Sequence, residues 1–177
     1  DDLKITLKQS SKVSIAAASF SIYAYEALKE ELEAIEELRF IFTSPTFCKE
    51  RVSKEKREFF IPKLSRERNL FGSDFEIKLR NQLSQKAIAR ECADWIRRKA
   101  SFKTNVSNGA LNGFLSVAND EGKYVYLPFN EFTTTELGCE RGNNICPVSM
   151  RMPSPFADKY LADFNELWNN YESFKDV

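Results

Sequence analysis

The sequence predicts an α/β fold, and three observations carry that prediction. An apolar run rich in Val, Ile and Ala, from Lys12 to Phe20, reads as a buried strand. Tyr25, Leu28, Leu32 and Ile35 then recur at helical spacing. Leu38 to Thr43 (LRFIFT) is a second apolar strand, closed by Ser44-Pro45. Strand, helix and strand in so short a span make a βαβ unit, and two buried strands joined this way pair in parallel.

The other elements follow in chain order. The first helix carries Glu26, Lys29, Glu30, Glu31, Glu33, Glu36 and Glu37 outward, a strongly acidic face. From Cys48 to Leu70 the periodicity breaks up. Lys49 to Arg68 holds eight cations against four carboxylates, a local charge of +4, with Phe59, Phe60 and Ile61 among them. This pattern predicts a mobile or loosely helical basic excursion over 48–70. Ser73-Asp74 marks the cap of a long helix running to Ala100, with Ala87, Ile88, Cys92, Trp95 and Ile96 as its sheet-facing stripe. Arg97-Arg98-Lys99 suit the negative end of its dipole. A strand over Ala100–Val106 and a turn at Asn108-Gly109 come next. A hairpin then pairs Leu111–Val117 with Tyr124–Phe129 across Asn119-Asp120-Glu121-Gly122. Asn144 to Met152 reads as the last strand. Phe156, Tyr160, Phe164, Leu167, Trp168 and Tyr171 form a terminal amphipathic helix capped by Ser154. No repeat or low-complexity tract appears, so residues 1–177 read as a single domain.

Composition narrows the chemistry. A chain of 177 residues suits one ordinary globular domain. It contains no histidine, which excludes a Ser-His-Asp or Cys-His nucleophilic site, a His-bearing metal site and a phosphohistidine intermediate within this chain. With 26 basic and 26 acidic side chains, no whole-molecule field favours nucleic acid or an anionic membrane. The longest apolar run, Val13 to Phe20, is far short of the roughly 20 residues a membrane span needs. Nor does it follow a basic segment as a signal peptide's core would, so no membrane partner is expected. Cys48, Cys92, Cys139 and Cys146 make no CxxC pair, and zinc would require all four to converge. Reduced, structural cysteines in a cytoplasmic protein are favoured over disulfides. The opening without Met and the stop at Asp176-Val177 suggest an excised fragment.

Several stretches are similar to one family. KVSIAAASFSIYAYEALKEELEAIEELRFIFTSPTF resembles the start of a phospholipase D-like nuclease-fold domain. KAIARECADWIRRKASFKT, ALNGFLSVANDEGKYVYLPFNEFTTTELG and PFADKYLADFNELWNN resemble the branch found at the N-terminus of large bacterial superfamily-two helicase-related ATPases. The resemblance covers nearly the whole chain through distributed similarity rather than one sharp motif. It implies a mixed β-sheet sandwiched between helices, with an ATPase motor following a tail like ESFKDV.

Active members of that family carry His-x-Lys-x4-Asp and, after six residues, Gly-Ser-x-Asn. One histidine attacks the phosphodiester, a second protonates the leaving group, and Lys and Asn hold the phosphate oxygens. Laid on this sequence, the motif puts His on Gly113, Lys on Leu115, Asp on Asp120, Gly-Ser on Leu127-Pro128 and Asn on Asn130. A register shifted by one puts Asn112 and Phe114 at the first two places and restores nothing. The resemblance therefore implies a degenerate site and no phosphodiesterase activity.

Plainer roles compete with each candidate. Asp120 sits in a turn, where Asp bonds nearby backbone, and Asn130 suits a strand end or a turn cap. Asp120, Glu121, Glu131 and Glu136, expected near one sheet end, match no metal-nuclease spacing and are explained by the solubility that exposed carboxylates give. The basic residues Lys54, Lys56, Arg57, Arg97, Arg98, Lys99 and Lys103 form the candidate nucleic-acid surface, if the fold brings them to one sheet edge. The neighbouring glutamates argue instead for a solvated face. The terminal helix stripe is core, or else docks the motor or a second copy of the domain.

The expected function is that of a catalytically inactive accessory domain of a helicase-type ATPase, contacting DNA or RNA or positioning the motor. No cofactor is expected in this domain. No GxxxxGK[ST] element occurs, so ATP and Mg belong to the suspected motor. A homodimer fits the resemblance. The alternatives are a protein-interaction or dimerisation module without nucleic-acid contact, and a residual carboxylate-dependent, metal-requiring nuclease.

Overall fold

β1 (Lys12–Ala17) and β2 (Glu37–Phe42) pair in parallel, with Ile15 opposite Phe40. The βαβ unit read from the opening sequence is therefore present. The computed structural model describes residues 2–43, 74–139 and 149–177, with side chains from 85 onward in its longest helix. The basic excursion at 48–70, Ser73 and residues 144–148 of the expected last strand lie outside the described residues.

Between β1 and β2 run two short helices, α2 (Ile22–Ala27) and α3 (Lys29–Ala34), where one continuous helix was expected. Ser21 caps α2 by accepting the Tyr23 N–H. Leu28 then leaves helical geometry, at φ −116° and ψ 18°, and the bend lets Tyr25, Leu28, Leu32 and Ile35 all stay buried. Helix α4 (Asp74–Lys99) leads into β3 (Ala100–Asn105), parallel to β2. β4 (Phe114–Asn119) lies antiparallel to β1, and β5 (Gly122–Leu127) antiparallel to β4. Asn119 pairs with Gly122 across Asp120-Glu121, and Gly122 has φ +150°, a conformation that favours glycine. β6 (Met150–Pro153) joins β5. After helix α5 (Phe156–Asn169), β7 (Phe174–Asp176) pairs antiparallel with β3.

The result is a seven-stranded mixed sheet in the order β6-β5-β4-β1-β2-β3-β7, with helices on both faces. Strand alternation sorts the core into two layers. One face turns Val13, Ile15, Leu38, Phe40, Leu115 and Val117 toward α2, α3 and α4, where Tyr25, Leu32, Cys92 and Trp95 are buried. A fifth, short helix, α1 (Asp2–Thr6), packs on the same side through Leu3. The other face turns Ala16, Ile41, Phe114 and Val125 toward Ala157 and Phe164 of α5.

Three expectations need correction. α1 forms where no element was expected, and the tail read at the end of the chain holds β7, so the last strand is β7. Ser154 does not cap α5: Pro155 occupies the cap position, and no side chain caps the helix there. Bonds from Lys123 and then Ser154 hold the Asp158 carboxyl below its ordinary value instead. Cys92 and Cys139 are both free, the first buried and the second exposed. Burial pushes the Cys92 thiol up to about 11. Among the described residues, no helix is long and apolar enough to cross a membrane.

Candidate functional site

Gly113, the position that the sequence resemblance aligns with a nucleophile, is tightly enclosed by backbone. Gly113 precedes β4, and its carbonyl accepts the Phe129 N–H at 3.3 Å. A Cβ placed there would stand 2.1 Å from the Phe129 carbonyl oxygen and 3.0 Å from Cα of Asn130. No side chain fits without moving the β5 exit, so the site lacks both a histidine and the room for one. Leu115, at the lysine position, is 1% exposed and belongs to the larger core layer. It also floors a cleft of about 390 Å³ with Tyr126 and Phe129. Burial pushes the Tyr126 phenol up to about 12, and its oxygen pairs with Thr6 Oγ1 at 2.7 Å and Asp2 at 2.9 Å.

Asp120 and Asn130 are held apart by the strand between them. Asp120 accepts a bond from Ser10 at 2.9 Å in the β4–β5 turn. Gly113 lies at the far end of β4, about 20 Å away at strand rise. Asn130 works through its backbone: its carbonyl accepts the Ala18 N–H at 2.8 Å, and its N–H donates to Glu136 at 3.0 Å. The carboxylates expected at one sheet end are likewise divided. Asp120 and Glu121 flank the hairpin turn, whereas Glu131 and Glu136 follow β5 at the opposite end. Among the described residues, no group of three or more carboxylates or thiols is placed to hold a metal.

The basic candidates among the described residues do not form one patch. Lys54, Lys56 and Arg57 lie outside the described residues. Arg97, at the end of α4, pairs with Asp94 at 2.7 Å, both side chains well exposed. Arg98 bonds Glu33 through two nitrogens, at 2.9 and 3.3 Å, which raises the guanidinium above its ordinary value. Lys99 donates to the carbonyls of Glu33 and Ile35. Lys103 sits on the other face of the sheet and is 3% exposed. Its ammonium donates to the Trp168 carbonyl at 2.7 Å and lies 4.1 Å from the Tyr171 ring centre. The acidic face of α3 thus answers the cations at the end of α4, and α5 encloses Lys103.

A second basic surface emerges where the triplet dissolves. Lys86, Arg90 and Arg97 are all exposed on α4. At 3.6 residues per turn they fall within about 40° of one another and span about 16 Å. Trp95 projects from the opposite side of the helix, where its Nε1 donates to the Leu32 carbonyl at 3.0 Å and its ring meets Tyr25. Lys86 and Arg90 have no ion-pair partner among the described residues. The signal was available in the sequence: both cations lie half a turn from the apolar stripe that fixes the buried side.

Two further features lie under α5. Arg39 reaches from β2 with its guanidinium carbon 5.2 Å from the Phe164 ring centre and 5.7 Å from that of Trp168. It donates to Ser14 Oγ at 3.2 Å, while its Nε and the nearby Ser116 hydroxyl are buried without a partner. A cleft of about 400 Å³ separates α5 from the loop entering β4. Compared with protein-family models, with curated proteins and with solved structures, the chain matches none.

Proposed function

We propose that this chain is a non-cleaving, phospholipase D-like accessory domain of a helicase-type ATPase that engages DNA or RNA through its phosphates. The observation that carries the binding half is the exposed stripe of Lys86, Arg90 and Arg97 on the outer side of α4. Three cations along one helix side can each displace condensed counterions from a nucleic-acid strand without reading its bases. The closed contact between Gly113 and Phe129 supports the other half, binding without hydrolysis. ATP hydrolysis, with its Mg, belongs in this reading to the motor that the sequence resemblance implies.

Anisotropy of a labelled single-stranded oligonucleotide, titrated across salt, tests the reading. Binding should weaken steeply with salt. Replacing Lys86, Arg90 and Arg97 together by Ala should flatten the logarithmic salt slope by about 2, at about 0.7 per lost contact. No binding at low salt would sink the nucleic-acid reading. The exposed Met150, Phe156 and Tyr171 favour the second reading, a protein-interaction or dimerisation module. A concentration-dependent dimer in sedimentation, without oligonucleotide binding, would select it.

A further inference from the structure

We propose that the cleft beneath α5 docks a segment of a partner protein in which cationic and apolar side chains alternate. It is lined by the buried Phe114 and the half-buried Leu111, Leu127, Tyr160 and Leu167. Phe156 lies one helical turn before Tyr160 on the same side of α5 and is 60% exposed, so apolar surface continues beyond the cleft. Asp163 and Glu166 form the rim. Asp163 stands 3.6 Å from Lys159 in a well-exposed pair of small net strength. Glu166 has no ion-pair partner among the described residues.

Charge selects the occupant. A phosphate backbone is repelled by both rim carboxylates, and an acidic or neutral segment leaves Glu166 desolvated without compensation. A lysine or arginine instead lays its aliphatic stem over Tyr160 and Leu167 and reaches a carboxylate with its charged tip. An adjacent apolar side chain fills the cleft. This surface lies on the face opposite α4, so it goes beyond the nucleic-acid reading and does not depend on it.

The test uses the whole chain and a short fluorescein-labelled peptide alternating leucine and arginine. Saturable binding is expected, together with about a tenfold loss in Asp163→Asn/Glu166→Gln. A variant with the same charge change on the other face, Glu26→Gln/Glu30→Gln, should bind within about twofold of the unchanged chain. Absence of saturable binding, equal loss in both variants, or equal binding of a leucine–glutamate peptide would each overturn the proposal. Oligonucleotide affinity measured separately on the Asp163/Glu166 variant is expected to be unchanged, which keeps the two surfaces distinguishable.

Discussion

The two faces of the sheet solve burial differently. Beneath α2, α3 and α4, the core is aromatic and aliphatic, with Phe20, Phe40 and Phe102 in mutual contact and Trp95 against Tyr25. Charge stays on the rim of that face, in pairs such as Lys4–Glu31, Lys29–Glu91 and Arg98–Glu33. Beneath α5 the charge is inside. Arg39 and Lys103 lie against Phe164, Trp168 and Tyr171, and aromatic faces, a serine hydroxyl and a carbonyl do much of what carboxylates do elsewhere. Asp176 approaches Lys103 only at 3.8 Å, with its own side chain exposed. The first face closes the fold; the second holds a helix over a polar floor and leaves a cleft beside it.

The sharpest way to break this contrast is Trp95→Ala. It removes a fully buried ring and strands the Leu32 carbonyl, so a loss of about 3–5 kcal/mol is expected in urea denaturation. A loss below 1 kcal/mol would mean the first face does not dominate stability. Gly113→Ala should cost about 1–3 kcal/mol, because the new methyl group meets a carbonyl that belongs to the sheet. On the second face, Lys103→Met keeps the apolar stem but leaves the Trp168 carbonyl without its donor. A loss of about 1–2 kcal/mol is expected.

Cys92 gives a pH-dependent version on the first face. Its thiol is raised from 9.0 to about 11 in the folded chain, so the folded state disfavours the thiolate. Its contribution is complete below pH 9.0 and declines as pH rises toward 11. Cys92→Ala should therefore flatten the alkaline limb of the stability profile while lowering the neutral plateau. The smallest effect is expected at Ser116→Ala, where a buried hydroxyl without a partner is removed. Stability should stay within about 0.5 kcal/mol or rise. A clear loss would mean that this hydroxyl has a hydrogen-bond partner in solution.

Much of the architecture was legible because periodicity reports burial. The run from Val13 to Ala17 is buried throughout, Cys92 and Trp95 share a helix side, and the Asn119–Gly122 turn marks its hairpin. Shorter elements left too little pattern: α1 spans five residues and β7 three, and β7 forms only because β3 offers an edge. The basic surface was misread for a different reason. Arg98 is neutralised by Glu33, 65 positions away, and Lys103 is enclosed by a helix that follows it by more than 50 residues. Net charge along a segment cannot reveal such pairings. The resemblance drew attention to Gly113 by spacing alone, and only the fold tells that this position is sterically closed.

That closure has a consequence for anyone using this domain as a scaffold. Placing histidine at Gly113 and lysine at Leu115, the two positions the sequence resemblance singles out, is one two-step route toward a phosphodiesterase, and both steps run uphill in the same sheet. The first forces the β5 exit off its hydrogen bond, and the second drives a cation into an apolar layer. An engineer seeking hydrolysis should leave these positions untouched and begin at an exposed one such as Asn112, where a new side chain can be added without opposing the packing that keeps the strands in register.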